Sequence, residues 1–197
     1  TRYTVEEIVT TAVQLAKSAA KRKPGVRVAL DIGPIGELLE PNGYLPFDDA
    51  YDLFAEQVIV GEKAGADLIV FETMSDLYEV KAAILAAKEH TRLPVFVTMS
   101  FEADHRTFTG CTTASFALCA EGLGADAIGI NCSLGPDQIL PIAEELAAMS
   151  NLPLIIKANA GLPDPVTNTY SINASGYAQM LTAFTKLPVT YVGGCCG

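Results

Sequence analysis

Apolar residues along this chain fall into short runs separated by longer stretches of helical periodicity. Six runs read as strands, at residues 26–32, 67–71, 94–100, 127–131, 153–158 and 189–192. They are brief and apolar at successive positions, the pattern of parallel strands covered by helices. Amphipathic stretches near residues 5–23, 48–64, 76–89, 113–122, 136–149 and 174–186 predict the intervening helices. Thr4 and Glu7 have the spacing of a capping box at the start of the first helix. Asp48, with Asp49 beside it, stands where it can cap the second, and Pro136 suits the first turn of the fifth.

An internal repeat sharpens the fold class. Glu62-Lys63-Ala64-Gly65-Ala66-Asp67-Leu68-Ile69 recurs as Glu121-Gly122-Leu123-Gly124-Ala125-Asp126-Ala127-Ile128, and Leu93-Pro94-Val95 as Leu152-Pro153-Leu154. Both recurrences are offset by 59 positions (62 to 121, 93 to 152), two strand–helix units of roughly 30 residues. Each Gly-Ala-Asp closes a helix and opens a strand, with Gly65 or Gly124 free to take the left-handed cap. Such regularity predicts an α/β fold of the (β/α)8 TIM-barrel type rather than a doubly wound sheet. Six strands are found where a closed barrel has eight. The expectation is therefore a partial barrel over residues 1–197, lacking the first two strands and the last helix, with open edges prone to self-association.

Composition narrows the function classes. The 197 residues are 50% hydrophobic, enough for a sizeable core. Thirteen basic against 23 acidic residues give a net charge of −10, which argues against nucleic acid and anionic membrane as partners. No apolar run approaches a membrane span. Five cysteines without regular spacing argue against a secreted disulfide framework and for a reducing, cytoplasmic setting.

Three of those cysteines carry the chemistry: Cys132, in Gly129-Ile130-Asn131-Cys132, and the pair in Gly193-Gly194-Cys195-Cys196-Gly197. Adjacent cysteines are poor disulfide partners, because their Cα atoms lie about 3.8 Å apart, closer than an unstrained bridge needs. In a β/α barrel the strand C-termini share one rim. Glu72 would follow the second strand there, Cys132 the fourth, Asn159 the fifth and the cysteine pair the sixth. Three thiolates and one open position describe a catalytic zinc site. Cys111 and Cys119 read as packing residues. Lys157 admits two readings, a Schiff-base lysine of an aldolase-type barrel or an ion-paired interior lysine. A third possibility for the whole chain is a non-catalytic scaffold with structural zinc. His105, in a polar loop, reads as solvent-exposed.

The two cysteine motifs resemble those of the zinc-dependent homocysteine S-methyltransferases. So do Asp31-Ile32-Gly33-Pro34-Ile35-Gly36, Phe71-Glu72-Thr73-Met74-Ser75-Asp76 and Lys157-Ala158-Asn159-Ala160-Gly161. The Glu-Thr-Met-Ser-Asp stretch is most similar to the cobalamin-dependent methionine synthases. The resemblance implies that Cys132, Cys195 and Cys196 are zinc ligands and that Glu72 binds the amino group of L-homocysteine. It implies supporting roles for Asn131, Asn159, Gly193 and Gly194. It also implies transfer of a methyl group to the homocysteine thiol, forming methionine. The donors used by such proteins are methylcobalamin loaded from methyltetrahydrofolate, S-methylmethionine and betaine, and cobalamin would sit on another domain. In the family a loop after the first barrel strand also holds the substrate carboxylate, and no counterpart to it is found here.

Overall fold

The computed structural model describes residues 2–197. Its helices are α1 (Val5–Ala20), α2 (Phe47–Ala64), α3 (Leu77–His90), α4 (Thr113–Gly122), α5 (Pro136–Met149) and α6 (Ala174–Leu181), the last continued by a 3-10 turn, Thr182–Lys186. They alternate with strands β1 (Ala29–Ile32), β2 (Leu68–Met74), β3 (Val95–Met99), β4 (Ala127–Asn131), β5 (Leu154–Ala158) and β6 (Val189–Gly194). All neighbouring strands are parallel and stand in the sheet in chain order, β1 to β6. A doubly wound sheet reverses its strand order at a switch point; this one does not.

The sheet is curled. In a flat sheet strands three places apart would be separated by roughly 14 Å, yet the rings of Phe96 on β3 and Tyr191 on β6 have centroids 5.0 Å apart. Lys157 on β5 likewise reaches Glu72 on β2. Six strand–helix units thus enclose a concave face, as the repeat predicts for a barrel.

Residues alternate between that concave face and the helices. The outward set, including Ile69, Phe71, Val97, Met99, Ile128, Ile130, Leu154 and Ile156, is fully buried against the helices and forms the core. Strands were expected to be apolar on both faces. Instead β1 and β2 alternate in burial, and the inward positions near the strand ends are polar: Asp31, Glu72, Thr98, Asn131 and Lys157.

Local signals mostly hold. The Thr4–Glu7 capping box is formed, with Glu7 N–H donating to Thr4 Oγ1 at 3.1 Å. Gly65 closes α2 at φ 96°, and Pro136 opens α5. Asp48 does not cap α2: Pro46 holds the cap position, so Asp48 and Asp49 fall inside the first turn, where they can still favour the helix dipole.

The repeated aspartates do more than mark a turn. Asp67 Oδ2 accepts the Val28 N–H at 2.7 Å while pairing with Lys17 of α1 at 3.0 Å. Asp126 Oδ2 accepts the Val95 N–H at 2.8 Å while pairing with Lys88 of α3 at 2.7 Å. Each ties a new strand to the start of its neighbour and to the helix outside it. The Val28 N–H, then Lys17, hold Asp67 below the usual carboxylate range. A depressed pKa stabilises the fold above the unfolded value and is lost as pH falls through the folded one. Asp67→Asn is therefore expected to cost about 1 kcal/mol at neutral pH, the low end for a charged hydrogen bond because the carboxylate is partly solvated. Urea midpoints of the two proteins should converge as pH falls below about 4.

Candidate metal centre

Strand β4 ends at Asn131 and β6 at Gly194, so Cys132 and the Cys195–Cys196 pair leave the same edge of the sheet on either side of β5. Their three sulfurs lie within 4.8 Å of one another, and Cys132 Sγ stands 3.8 Å from Cys196 Sγ. Sulfurs bound tetrahedrally at about 2.3 Å to one zinc ion would be about 3.8 Å apart. The donor set therefore fits a soft divalent metal. Cys111 and Cys119 do not join the cluster; burial pushes the Cys111 thiol up to about 11 and raises that of Cys119, as suits inert packing residues.

Backbone hydrogen bonds carry the ladder past the strand ends and fix the tripod. Cys132 N–H donates to Lys157 O at 3.1 Å, Cys195 N–H to Ala158 O at 3.0 Å and Ala160 N–H to Cys196 O at 2.8 Å. Asn159 Oδ1 accepts the Cys196 N–H at 2.9 Å. The loop after β5 is thus the splint between the two cysteine loops, with Asn159 its central clamp. Cys132 and Ser133 adopt left-handed φ values of 62° and 56°. Such residues cost about 1–3 kcal/mol each and persist where surrounding structure dictates them. Gly129 permits the close approach of β4 to β5, since a Cβ there would lie 1.9 Å from Ile155 O.

Glu72 was expected after the second strand and instead lies within β2. Residues Phe71 to Met74 oppose Val97 to Met99, so β2 carries one extra residue, a bulge, with Thr73 at φ 61°. Asn131 holds that bulge: its Oδ1 accepts the Thr73 N–H at 2.9 Å and the Thr98 hydroxyl at 2.8 Å. Its Nδ2 donates to Thr73 Oγ1 at 2.7 Å and lies 3.5 Å from Glu72 Oε1 and 3.7 Å from Cys195 Sγ. The fully buried Asn131 side chain thus works across three strands. Glu72 lies outside α3, whose N-terminal cap is Asp76.

Electrostatics around the rim are crowded. Burial, then the adjacent Cys132 thiol, push Cys195 up to about 12. A cation is what would let such a cluster ionise. Glu72 pairs with Lys157, which favours the ion-paired reading of that lysine over a free amine nucleophile. Asp31 is raised by burial and then by Glu72, with Lys157 opposing, so the three groups share one electrostatic neighbourhood. His105 is not free in solvent, because its Nδ1 lies 2.7 Å from Glu145. Two aromatic neighbours escaped sequence reasoning. The Tyr177 hydroxyl, 2.8 Å from both Ala158 O and Gly193 O, ties the ends of β5 and β6. Tyr170, whose ring would meet a Cβ added at Gly197, is raised by burial and by all three cysteines. Tyr177 lies on α6, within a stretch that periodicity predicts as helix, whereas Tyr170 lies in the loop before it.

The family model "Homocysteine S-methyltransferase" matches residues 1–197. The chain belongs to the homocysteine S-methyltransferase family. Among curated members, methionine synthase of Mycobacterium leprae is 29% identical over 174 residues, covering 84% of this chain and 14% of that protein. Methionine synthase of Mycobacterium tuberculosis is 30% identical over the same shares. The chain thus spans about one seventh of these relatives. The metallated form of the homocysteine methyltransferase MmuM from Escherichia coli superimposes with a TM-score of 0.80 at 20% identity, covering 97% of this chain and 66% of that one. Its apo form gives 0.76. The fold of this family member is therefore the partial α/β barrel that its strand count implied.

Proposed function

We propose that this chain is the homocysteine-binding part of a zinc-dependent methyltransferase that forms methionine. The observation carrying the reading is the convergence of Cys132, Cys195 and Cys196 on one rim, one amide group away from the Glu72 carboxylate. Cys132, Cys195 and Cys196 would hold the zinc. When bound, such an ion favours the thiolate form of a substrate thiol in its open position, and thiolate is the nucleophile that methyl transfer needs.

The protein's own residues select and orient the substrate. Glu72 Oε1 faces the cysteines past Asn131 Nδ2 and accepts the ammonium of a short amino thiol whose sulfur lies at the tripod. Asn131 fixes the Glu72 bulge, and Asn159 fixes the Cys196 loop. Gly193 and Gly194, at the end of β6 rather than in a loop after it, keep that strand end slender. Thiols of this kind require a reducing compartment such as the cytoplasm. The methyl donor would come from another domain or a diffusing molecule: methylcobalamin fed from methyltetrahydrofolate, S-methylmethionine or betaine.

The test is methionine formation by the zinc-loaded protein from L-homocysteine and each donor in turn. Labelled methyl should appear in methionine with one of them, and Glu72→Gln should raise KM for L-homocysteine by about 10–100-fold through loss of a charged contact. Absence of methionine with every donor would refute the reading.

A further inference from the structure

Cys196 is the exposed member of the tripod, and a loop that the reading above leaves without a task folds toward it. After β5, residues 161–171 close on themselves. Pro163 and Tyr170 pair in an antiparallel bridge, and the Asp164 N–H donates to Thr169 O at 2.9 Å. At the tip the Asp164 carboxylate accepts the N–H groups of Val166 and Thr167, at 2.9 and 2.8 Å, and the Thr167 hydroxyl at 3.1 Å. At the base the Ala160 N–H donates to Cys196 O at 2.8 Å. The loop is braced at both ends, and Tyr170 leaves it on the side of the cysteines.

Gly197 makes room for the Tyr170 ring. A Cβ there would lie 2.9 Å from Tyr170 Cδ1 and 2.5 Å from Ala160 Cβ. With the ring seated beside Gly197, the Tyr170 hydroxyl comes within hydrogen-bonding reach of the Cys196 sulfur. A phenol keeps its proton at neutral pH and can donate it, and a charged thiolate is a stronger acceptor than a thiol. A tripod of thiolates also poses a problem of selection. The substrate sulfur and the cysteine sulfurs are all nucleophiles, and solvent reaches Cys196. A hydrogen bond donated to one thiolate engages a lone pair and makes that sulfur the weaker nucleophile.

We propose that Tyr170 protects Cys196 from methylation: its hydroxyl hydrogen-bonds the metal-bound sulfur and lowers its nucleophilicity, which leaves the substrate sulfur as the reactive one. This rests on the reading of the three cysteines as a zinc tripod. Tyr170 acts through Cys196 and is a positioning residue, one shell outside the ligands, where such partners tune the donor strength of a metal's ligands.

Alkylation of the zinc-loaded full chain by iodomethane, without oxygen, tests the proposal. The attacking sulfur forms a carbon–sulfur bond as iodide leaves with the electron pair, and peptide mass spectrometry locates the methyl group. Tyr170→Phe keeps the ring and removes the hydroxyl. It should speed methylation of Cys196 about tenfold, the lower end of what a hydrogen bond to a charged group is worth. The rates at Cys132 and Cys195 and the zinc content should stay as in the wild type. With cobalt(II) in place of zinc, the sulfur-to-metal charge-transfer band should move to lower energy in Tyr170→Phe, because the thiolate lone pair loses a stabilising proton. An unchanged rate at Cys196, or an unmoved band, in a variant that holds its metal would overturn the proposal while sparing the zinc reading. So would a rise shared equally by the three cysteines, or loss of metal from Tyr170→Phe, either of which marks a structural role. A wild-type protein that binds neither metal would overturn both.

Discussion

Replacing Cys196 with alanine is expected to weaken zinc binding by at least about 100-fold, beyond the 10–100-fold that loss of an outer-shell partner costs. The measurement is competition against a chromogenic chelator under reducing conditions. Cys196 is the exposed member of the tripod, so its removal leaves no cavity in the core. The metal-free variant should accordingly melt with the metal-free wild type. Cys111→Ala serves as the control, because that thiol is engaged with Thr112 O at 3.3 Å away from the cluster. Zinc retention by Cys196→Ala at the wild-type level would exclude Cys196 as a ligand.

The second large effect falls on Asn131. Its side chain satisfies the Thr73 N–H, the Thr98 hydroxyl and Thr73 Oγ1 in a fully buried position. Asn131→Ala leaves those groups without partners and removes the brace on a bulge that stores left-handed strain at Thr73. A loss of about 2–4 kcal/mol in unfolding free energy is expected from the unsatisfied groups. L-homocysteine binding should fall as well, because Glu72 sits next to Thr73. Asn131→Asp tests the division of labour. The acceptor side survives, while the donor to Thr73 Oγ1 is lost and a carboxylate faces Glu72. Stability should recover in part and ligand affinity should not.

The two cysteine motifs and the repeat were legible in the sequence for one physical reason. In a barrel of parallel strands, residues that follow strand ends share a rim whatever their separation along the chain. Cys132 and Cys196 are 64 positions apart and 3.8 Å apart in space. Glu72 lies within β2 and not after it, because a bulge adds a residue without altering the hydrophobic pattern that marks a strand. The inward polar layer was missed for a related reason. Short strands whose outer faces are all apolar look apolar throughout until the sheet curls and gives the inner face its own chemistry. Asp48 failed as a cap because the chain enters α2 through Pro46, two residues earlier than the acidic pair suggests. Tyr170 lies in the loop between β5 and α6, outside any periodic segment, and helical periodicity places Tyr177 on α6 without revealing that its hydroxyl reaches Ala158 O and Gly193 O.

Zinc K-edge X-ray absorption on the purified protein, with and without L-homocysteine, tests the central claim most directly. The account predicts one zinc per chain with three sulfur neighbours at about 2.3 Å, rising to four when L-homocysteine is added. A sulfur count that stays the same on adding L-homocysteine would contradict it and make the metal a structural staple.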